Sequence, residues 1–140
     1  MHKNFTHKVK VYYEDTDAGG IVYYANYLHF LERARTEAIT DLGWSNKKIK
    51  ESFDSHIIVK SCNIEYKISA HLEDELNIRS FIKSVTKTSF LMKQIITRAN
   101  DVIADAESHL VFISNLGKPM RIPDVLFKNF KPYFCDSIKN

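Results

Sequence analysis

The chain has 140 residues, 44% hydrophobic and 26% charged, which is ordinary for one soluble globular domain. Its net charge of +3 is small and no run of five or six basic residues occurs, so the composition does not indicate a nucleic-acid-binding protein. No apolar run approaches the ~18 residues of a membrane span, and the first residues lack a signal-peptide core. We therefore expect a cytoplasmic protein without a membrane span.

Several common kinds of chemistry have no signature in this sequence. There is no Gly-x-Ser-x-Gly nucleophile elbow and no glycine-rich phosphate loop. The six histidines have no metal-ligand spacing, and Cys62 and Cys135 stand far apart, which favours two thiols in a reducing compartment. We expect no metal and no cofactor.

The first half of the chain predicts a strand followed by a long helix. Residues 7–14 alternate basic with β-branched or aromatic side chains, the period of a strand. From residue 24 or 26 to Leu42, apolar residues recur at helical spacing, with Asn26 as the expected N-cap and Gly43 just beyond the end. Ser45 or Asn46 is expected to cap a short helix through about residue 52.

Four strands are predicted in the second half. They cover residues 55–68, 75–86, 88–99 and a last stretch from Val102 until Gly117 breaks it. Residues 120–140 predict a short helix or a loose segment. The expected organisation is a single domain over residues 1–140, with a core at about 7–123 and a C-terminal tail at about 124–140.

This element order predicts an α+β fold. Short connections among the last four strands favour an antiparallel meander with the single long helix packed on one face. A curved antiparallel sheet wrapped around one central helix is the hot-dog architecture. Such a sheet leaves an edge strand open, so two copies can pair their edges, and a homodimer is the expected minimum.

The acidic turn before the long helix is the strongest candidate site. Asp15 and Asp17 precede Gly19 and Gly20, and the helix start offers unpaired backbone N–H groups that stabilise developing negative charge. An acid there can serve as base or nucleophile. Either aspartate can instead be a turn former, although the glycines, which let backbone approach a ligand closely, favour a functional Asp17. Nearby tyrosines, taken alone, are more typical of packing.

The stretch from Tyr12 to Tyr23, with Tyr27 and the run from Glu32 to Glu37, resembles the signature of the hot-dog thioesterases. It is most similar to the Tol–Pal-associated, YbgC-type acyl-CoA thioesterases, relatives of 4-hydroxybenzoyl-CoA thioesterase. The similarity is dense over residues 9–37 and looser to about Pro123.

The resemblance implies hydrolysis of an acyl-CoA thioester to a free acid and CoA. It makes Asp17 the nucleophile or the general base for water, and Tyr13 a residue that positions the carboxylate or the water. The backbone N–H groups expected to polarise the thioester carbonyl belong to Val22, Tyr23, Tyr24 and Ala25. Backbone around Gly19, Gly20 and Ile21 is expected to contact substrate.

Tyr24 departs from the YbgC pattern, which often has histidine there. The 4-hydroxybenzoyl-CoA branch has tyrosine at this position. Because a phenol with a pKa near ~10 is a poor base at neutral pH but a good hydrogen-bond donor, we expect Tyr24 to orient the substrate or the aspartate.

Coenzyme A requires positive charge for its phosphates. The candidates are Lys60, Lys83, Lys87, Lys93 and Arg98, each of which can also be a solvated strand residue. In the hot-dog family the site lies between subunits of a dimer or a dimer-of-dimers tetramer. A neighbouring chain's residues 60–63, including Ser61, are therefore expected to line the pocket.

Two alternatives to an acyl-CoA thioesterase remain open. The first is a thioesterase acting on acyl groups carried by acyl carrier protein, which would need a basic patch at the pocket mouth. The second is a non-catalytic module that binds acyl-CoA or envelope-machinery partners. A carboxylate beside anionic CoA argues against a pure binder, and the acidic motif argues against a dehydratase of the same architecture.

Overall fold

Five strands and three helices form residues 2–135, the part of the chain that the computed structural model describes. In chain order they are β1 (Phe5–Lys10), α1 (Asn26–Asp41), α2 (Asn46–Phe53), β2 (Ser55–Tyr66), β3 (Glu75–Val85), β4 (Ser89–Arg98), β5 (Asp101–Ser114) and α3 (Asp124–Phe130). Single 3-10 turns cover Tyr13–Asp15 and Lys131–Tyr133. The predicted strand–helix–four-strand order is confirmed.

The strands form one antiparallel sheet in the order β1-β3-β4-β5-β2. The predicted meander is confirmed for β3, β4 and β5 but is wrong for β2, which pairs with β5 at the far edge. The physical reason is that β1 occupies the other side of β3, with Lys10 opposite Glu75 and Phe5 opposite Ser80. The chain therefore crosses from one edge to the interior over residues 67–74.

Helix α1 lies against this sheet and supplies the centre of the core. Six of its residues are buried: Tyr27, Phe30, Leu31, Ala34, Ala38 and Ile39. Near its start they pack on β3 and β4 through Ile78 and Ile96, and near its end on Phe90 and Phe112. The described strands and α1 thus form the predicted hot-dog arrangement.

Helix α3 also belongs to the core. Its Leu126 is wholly buried and its Phe130 nearly so, and both pack in the cluster that surrounds the end of α1. The core therefore extends beyond the predicted boundary near residue 123, because the apolar side of this short helix covers the sheet end. The predicted short helix is confirmed, while residues 136–140 of the predicted tail lie outside the described residues.

The helix ends only partly follow the predicted capping. Ser45 caps α2 by accepting a hydrogen bond from the Lys48 N–H at 3.0 Å. Gly43 follows α1 with φ of +84°, which a glycine adopts without strain. Asn26, however, is the first residue of α1 and not its N-cap, because its side chain instead donates to the Asp15 carbonyl at 2.9 Å.

The start of β5 departs from the alternation of buried and exposed residues in a regular strand. Val102 is 41% exposed, whereas Ile103 and Ala104 are both fully buried. A β-bulge shifts the register, so that Ile96 faces Ala104 while Thr97 faces Val102. The extra residue resets the alternation at the start of β5.

A buried amide links α1 to the sheet. Gln94 is wholly buried, and its Nε2 donates to the Leu31 carbonyl at 3.1 Å and the Ser80 Oγ at 3.2 Å. Its Oε1 accepts from the Arg35 Nη1 at 3.1 Å. Burial lowers the pKa of the Arg35 guanidinium, which makes this acceptor important.

We predict that Gln94→Leu lowers the free energy of unfolding by roughly 1–3 kcal/mol, because it leaves the buried Ser80 hydroxyl and an Arg35 guanidinium N–H without their partner. Ser80→Ala removes one bond of this group and is expected to cost only about 0.5–1.5 kcal/mol. Urea unfolding of both variants measures the difference. Equal losses in the two variants would contradict this account of Gln94.

Candidate active site

The acidic turn is closed by backbone hydrogen bonds. The Asp17 N–H donates to the Ile21 carbonyl at 2.9 Å, and the Gly20 N–H donates to the Asp17 carbonyl at 3.0 Å. Gly20 has φ of +79°, a conformation that disfavours any residue with a Cβ. These bonds fix Asp17 at the first position of a tight turn.

The Asp17 carboxylate uses one oxygen in the turn and leaves the other available. Oδ1 accepts from the Gly19 N–H at 2.8 Å, whereas Oδ2 has no hydrogen-bond partner within residues 2–135. A Cβ added at Gly19 would lie 3.2 Å from Oδ1, so a side chain there would press on the carboxylate. Asp17 is exposed. It is therefore both a turn former and an available carboxylate.

Asp15 has a structural role in the same turn. Its Oδ2 accepts from the Tyr12 N–H at 2.9 Å, and its carbonyl accepts from the Tyr23 N–H at 3.0 Å. The side chain of Asn26 also donates to that carbonyl. Of the two interpretations considered for Asp15, these contacts favour the turn former.

Two of the four expected oxyanion donors already have acceptors within the chain. The Val22 N–H donates to the Ala70 carbonyl at 2.9 Å, and the Tyr23 N–H donates to the Asp15 carbonyl. The N–H groups of Tyr24 and Ala25 have no acceptor in the described part of the chain. Both directly precede α1, where the helix dipole is positive. The structure narrows the available donors to these two.

A pocket of about 220 Å³ lies beside the turn. It is lined by Asp17, Ile21, Val22, Tyr24, Tyr27, Tyr66, Lys67, Ile68 and Ser69. The residues from Tyr66 to Ser69 were not predicted as site residues. Alternation along 55–68 places them at the end of a strand, but only the pairing of β2 with β5 brings that end to the turn.

Three tyrosines form one wall of this pocket. The Tyr66 hydroxyl donates to the Tyr24 carbonyl at 3.3 Å, and the Tyr27 hydroxyl accepts from the Ala70 N–H at 3.1 Å. Burial raises the pKa of Tyr27 and of Tyr66, so both phenols stay protonated at neutral pH. The pKa of Tyr23 is raised by the hydroxyl of Tyr24 beside it.

Tyr13 is not brought into this pocket. Its side chain is 81% exposed and faces a separate open depression that Lys10, Glu14 and Leu72 also line. Its carbonyl accepts from Thr16, so its backbone supports the turn. The expected contact between Tyr13 and the Asp17 carboxylate is absent from the described structure, because the 3-10 turn directs residue 13 away.

Three of the five candidate cations for CoA are already in ion pairs. Lys83 pairs with Glu107 at 2.8 Å, Lys93 pairs with Asp105 at 2.8 Å, and Arg98 pairs with Asp74 at 2.7 Å. Lys60 and Lys87 have no ion-pair partner within residues 2–135. Lys60 is the extra residue of a bulge in β2, next to the exposed Ser61.

Lys87 lies far from Asp17 in the same chain. It follows β3, whose eleven residues span roughly 35 Å from the end that lies near the acidic turn. A single chain therefore does not bring Lys87 into the Asp17 pocket. Lys60 lies between the two ends, in the middle of β2.

Residues 2–135 contain no group of three or more His, Cys, Asp or Glu side chains that could hold a metal ion. His29 is exposed on α1 and is not a core residue. Within the same residues, none of the helices has the length and apolarity needed to cross a membrane.

A model of the thioesterase-like superfamily matches residues 11–130 of the chain. The chain belongs to the thioesterase-like superfamily. The acidic turn, its pocket, α1 and strands β2 to β5 lie within this match, whereas β1 precedes it.

Two curated relatives are YbgC proteins. The acyl-CoA thioester hydrolase YbgC of Escherichia coli O6:H1 is 38% identical over 129 residues, covering 91% of this chain and 96% of the relative. The acyl-CoA thioesterase YbgC of Haemophilus influenzae is 36% identical over 125 residues, covering 88% and 91%. The resemblance to the YbgC-type thioesterases is confirmed.

The crystal structure of a probable thioesterase from Bartonella henselae superposes with a TM-score of 0.83 at 29% identity. The match covers 86% of this chain and 100% of the Bartonella henselae chain. The predicted hot-dog fold of the α+β class is confirmed.

We predict that Tyr27→Phe lowers the free energy of unfolding by roughly 1–3 kcal/mol, because the Ala70 N–H, in a fully buried residue, loses its acceptor. Tyr66→Phe removes a longer bond made by a half-exposed side chain and should change stability by less than about 0.5 kcal/mol. Thermal and urea unfolding of both variants provide the measurement. A larger loss for Tyr66→Phe than for Tyr27→Phe would contradict this account of the wall.

Proposed function

We propose that this protein is an acyl-CoA thioesterase that uses Asp17 as nucleophile or as general base for water. The observation that carries the proposal is the juxtaposition of two unsatisfied groups. Asp17 and Tyr24 line one pocket. Within residues 2–135, the Asp17 Oδ2 has no hydrogen-bond partner and the N–H groups of Tyr24 and Ala25 have no acceptor. A thioester placed between them can accept hydrogen bonds from these N–H groups through its carbonyl oxygen, while its carbonyl carbon faces the free Asp17 oxygen.

The chemistry follows from this arrangement. The carbonyl oxygen accepts from the Tyr24 and Ala25 N–H groups, and the carbon faces the Asp17 carboxylate. Attack by the carboxylate or by a water that it deprotonates moves charge onto the oxygen, where the helix end stabilises it. Collapse of this intermediate expels the CoA thiolate. If Asp17 attacks, the resulting mixed anhydride is then hydrolysed to the free acid.

Tyr24 orients the reacting groups in this proposal. Its backbone supplies one donor, and its phenol stands at the pocket next to Tyr23, with ring centres 4.9 Å apart. In this proposal the phenol acts as a hydrogen-bond donor to the substrate or to Asp17, and not as a base. The names of the E. coli and H. influenzae relatives, which describe acyl-CoA thioester hydrolysis, support the same reaction.

The proposal includes a homodimer formed along β2. β2 has twelve residues and exposes Ile58 and Val59, whereas the other edge, β1, has six residues and exposes Lys8 and Lys10. β2 also carries the exposed Lys60, but it is the longer edge and exposes two adjacent apolar residues, so we assign the pairing with a second copy to β2. In a dimer with two-fold symmetry the two copies of β2 pair antiparallel, so the sheet of the second subunit points in the opposite direction to that of the first.

This reversal gives the unpaired lysines a role. In the antiparallel dimer, the sheet end that carries Lys87 of the partner subunit lies on the same side as Asp17. Residues 60–63, with Lys60 and Ser61, lie at the interface between the two sheets. These lysines then supply positive charge for the phosphates of CoA.

We predict that Asp17→Asn lowers kcat for acyl-CoA hydrolysis by roughly 10²–10⁴-fold, the usual loss on removing a general base. The amide keeps an oxygen that can accept from the Gly19 N–H, so the turn is retained. The assay measures release of CoA thiol from short-chain, long-chain and aromatic acyl-CoAs. Acylated carrier protein is tested beside them.

Asp15→Asn is the matched control, because it makes the same aspartate-to-asparagine change in the same turn, at a residue that does not line the pocket. Its kcat should stay within about twofold of wild type. Equal activity of wild type and Asp17→Asn would refute the assigned role. If the enzyme hydrolysed acylated carrier protein but no acyl-CoA, the substrate would be the carrier-bound thioester instead of acyl-CoA.

We predict that Ile58→Lys dissociates the dimer, because it places a charge on the apolar edge of β2. Leu116→Lys, which changes an exposed apolar residue in a loop after β5, should leave the dimer intact. Light scattering coupled to size-exclusion chromatography gives the mass of each. A monomeric wild type, or a dimeric Ile58→Lys, would contradict pairing along β2.

A further inference from the structure

The acidic turn is held in place by a segment that is not itself part of a strand. The Val22 N–H donates to the Ala70 carbonyl at 2.9 Å, and Ile21 forms a β-bridge with His71. In the chain, Ile21 and Val22 lie between Asp17 and Tyr24. Residues 69–71 therefore set where the carboxylate stands relative to the N–H groups that precede α1.

Residues 69–71 lie between β2 and β3, and side chains hold them in addition to backbone hydrogen bonds such as that from the Asp74 N–H to the His71 carbonyl at 3.1 Å. The Tyr27 hydroxyl accepts a hydrogen bond from the Ala70 N–H at 3.1 Å. Glu73, next to this segment, has φ of +67°, an unfavourable conformation for a residue with a side chain. A segment of this kind keeps its position only where its surroundings fix it.

Arg98, the last residue of β4, fixes both ends of the segment. Its Nη1 donates to the Ser69 carbonyl at 3.2 Å and to the Asp74 Oδ2 at 2.7 Å. The same Oδ2 accepts from the His71 N–H at 2.8 Å. One guanidinium nitrogen and one carboxylate oxygen thus join the backbone on either side of Ala70.

The Asp74 carboxylate stays ionised at neutral pH. Burial acts to raise its pKa, but the His71 N–H and the Arg98 guanidinium outweigh burial and hold the pKa below its ordinary value. The His71 ring stands 3.8 Å from the same oxygen. The contact is therefore present under the conditions of catalysis.

We propose that Arg98, acting through Asp74 and residues 69–71, is a positioning residue that sets the Asp17 turn against the Tyr24 and Ala25 N–H groups. It rests on the proposed thioesterase function. Because its Nη1 already binds Ser69 and Asp74, the proposal assigns Arg98 to this segment and not to CoA. Its loss lets the turn shift relative to the helix start, which lowers turnover, while groups that bind CoA are unchanged.

The same strand provides a matched control. Lys93 of β4 pairs with Asp105 of β5 at 2.8 Å, and its side chain is 26% exposed against 29% for Arg98. Neither member of the Lys93 pair contacts residues 69–71 or the turn, and the proposed CoA contacts are Lys60 and Lys87, because the charge of Lys93 is already paired with Asp105. Arg98→Gln and Lys93→Gln each break one half-buried ion pair, but only Arg98 contacts the segment that holds the Asp17 turn.

We predict that Arg98→Gln lowers kcat by about 10- to 100-fold with KM within twofold, since misplacement by about 1 Å has effects of this size. Lys93→Gln should keep kcat within twofold while its urea midpoint shifts about as much as that of Arg98→Gln. Arg98→Lys, which keeps the charge facing Asp74, should recover part of kcat. It also serves if Arg98→Gln does not fold.

A second readout does not depend on activity. Hydrogen exchange of the Val22 amide reports the bond to Ala70 directly. We expect exchange at Val22 to be at least tenfold faster in Arg98→Gln than in Lys93→Gln. Equal Val22 exchange in the two variants, or equal kcat where wild type is active, would overturn the positioning role. If wild type hydrolyses no thioester while Val22 responds as expected, the proposed function fails and the positioning role stands.

Discussion

The constraint at the centre of this structure is which backbone N–H groups just before α1 have a hydrogen-bond acceptor within the chain. The N–H groups of Val22 and Tyr23 donate to the carbonyls of Ala70 and Asp15, whereas those of Tyr24 and Ala25 have no acceptor among residues 2–135. Unsatisfied donors at a helix start are tolerated where solvent or a ligand completes them. The tight turn at Asp17 and the wall formed by residues 69–71 make this pattern possible.

The rest of the fold supports this arrangement. Gln94 joins α1 to β3 and β4 from inside the core, so the helix cannot rotate without breaking buried hydrogen bonds. Arg98, at the end of β4, holds the loop that contacts the turn. The same strand thus fixes the helix at one point and the turn at another, which keeps the carboxylate and the donors in register.

The local features of the site could be predicted from the sequence. Asp17, the glycines after it and the helical periodicity that begins next all stand within one continuous stretch, so spacing alone indicated a carboxylate at a helix start. Which donors are free could not be predicted, because this depends on Ala70, far away in the chain. The contributions of Tyr66 and Arg98 were missed for the same reason. The place of β2 beside β5 was missed because adjacency in sequence does not reveal that β1 occupies the edge of β3.

The central claim is that the Tyr24 and Ala25 N–H groups receive the thioester carbonyl. Amide NMR of ¹⁵N-labelled Asp17→Asn with bound acyl-CoA tests it directly, because hydrolysis is slowed and the complex persists. The account predicts that the amide protons of Tyr24 and Ala25 move downfield on addition of acyl-CoA, while those of Val22 and Tyr23, already bonded, move little. Shifts confined to Val22 and Tyr23, or no shift at any of the four in a saturated complex, would contradict it.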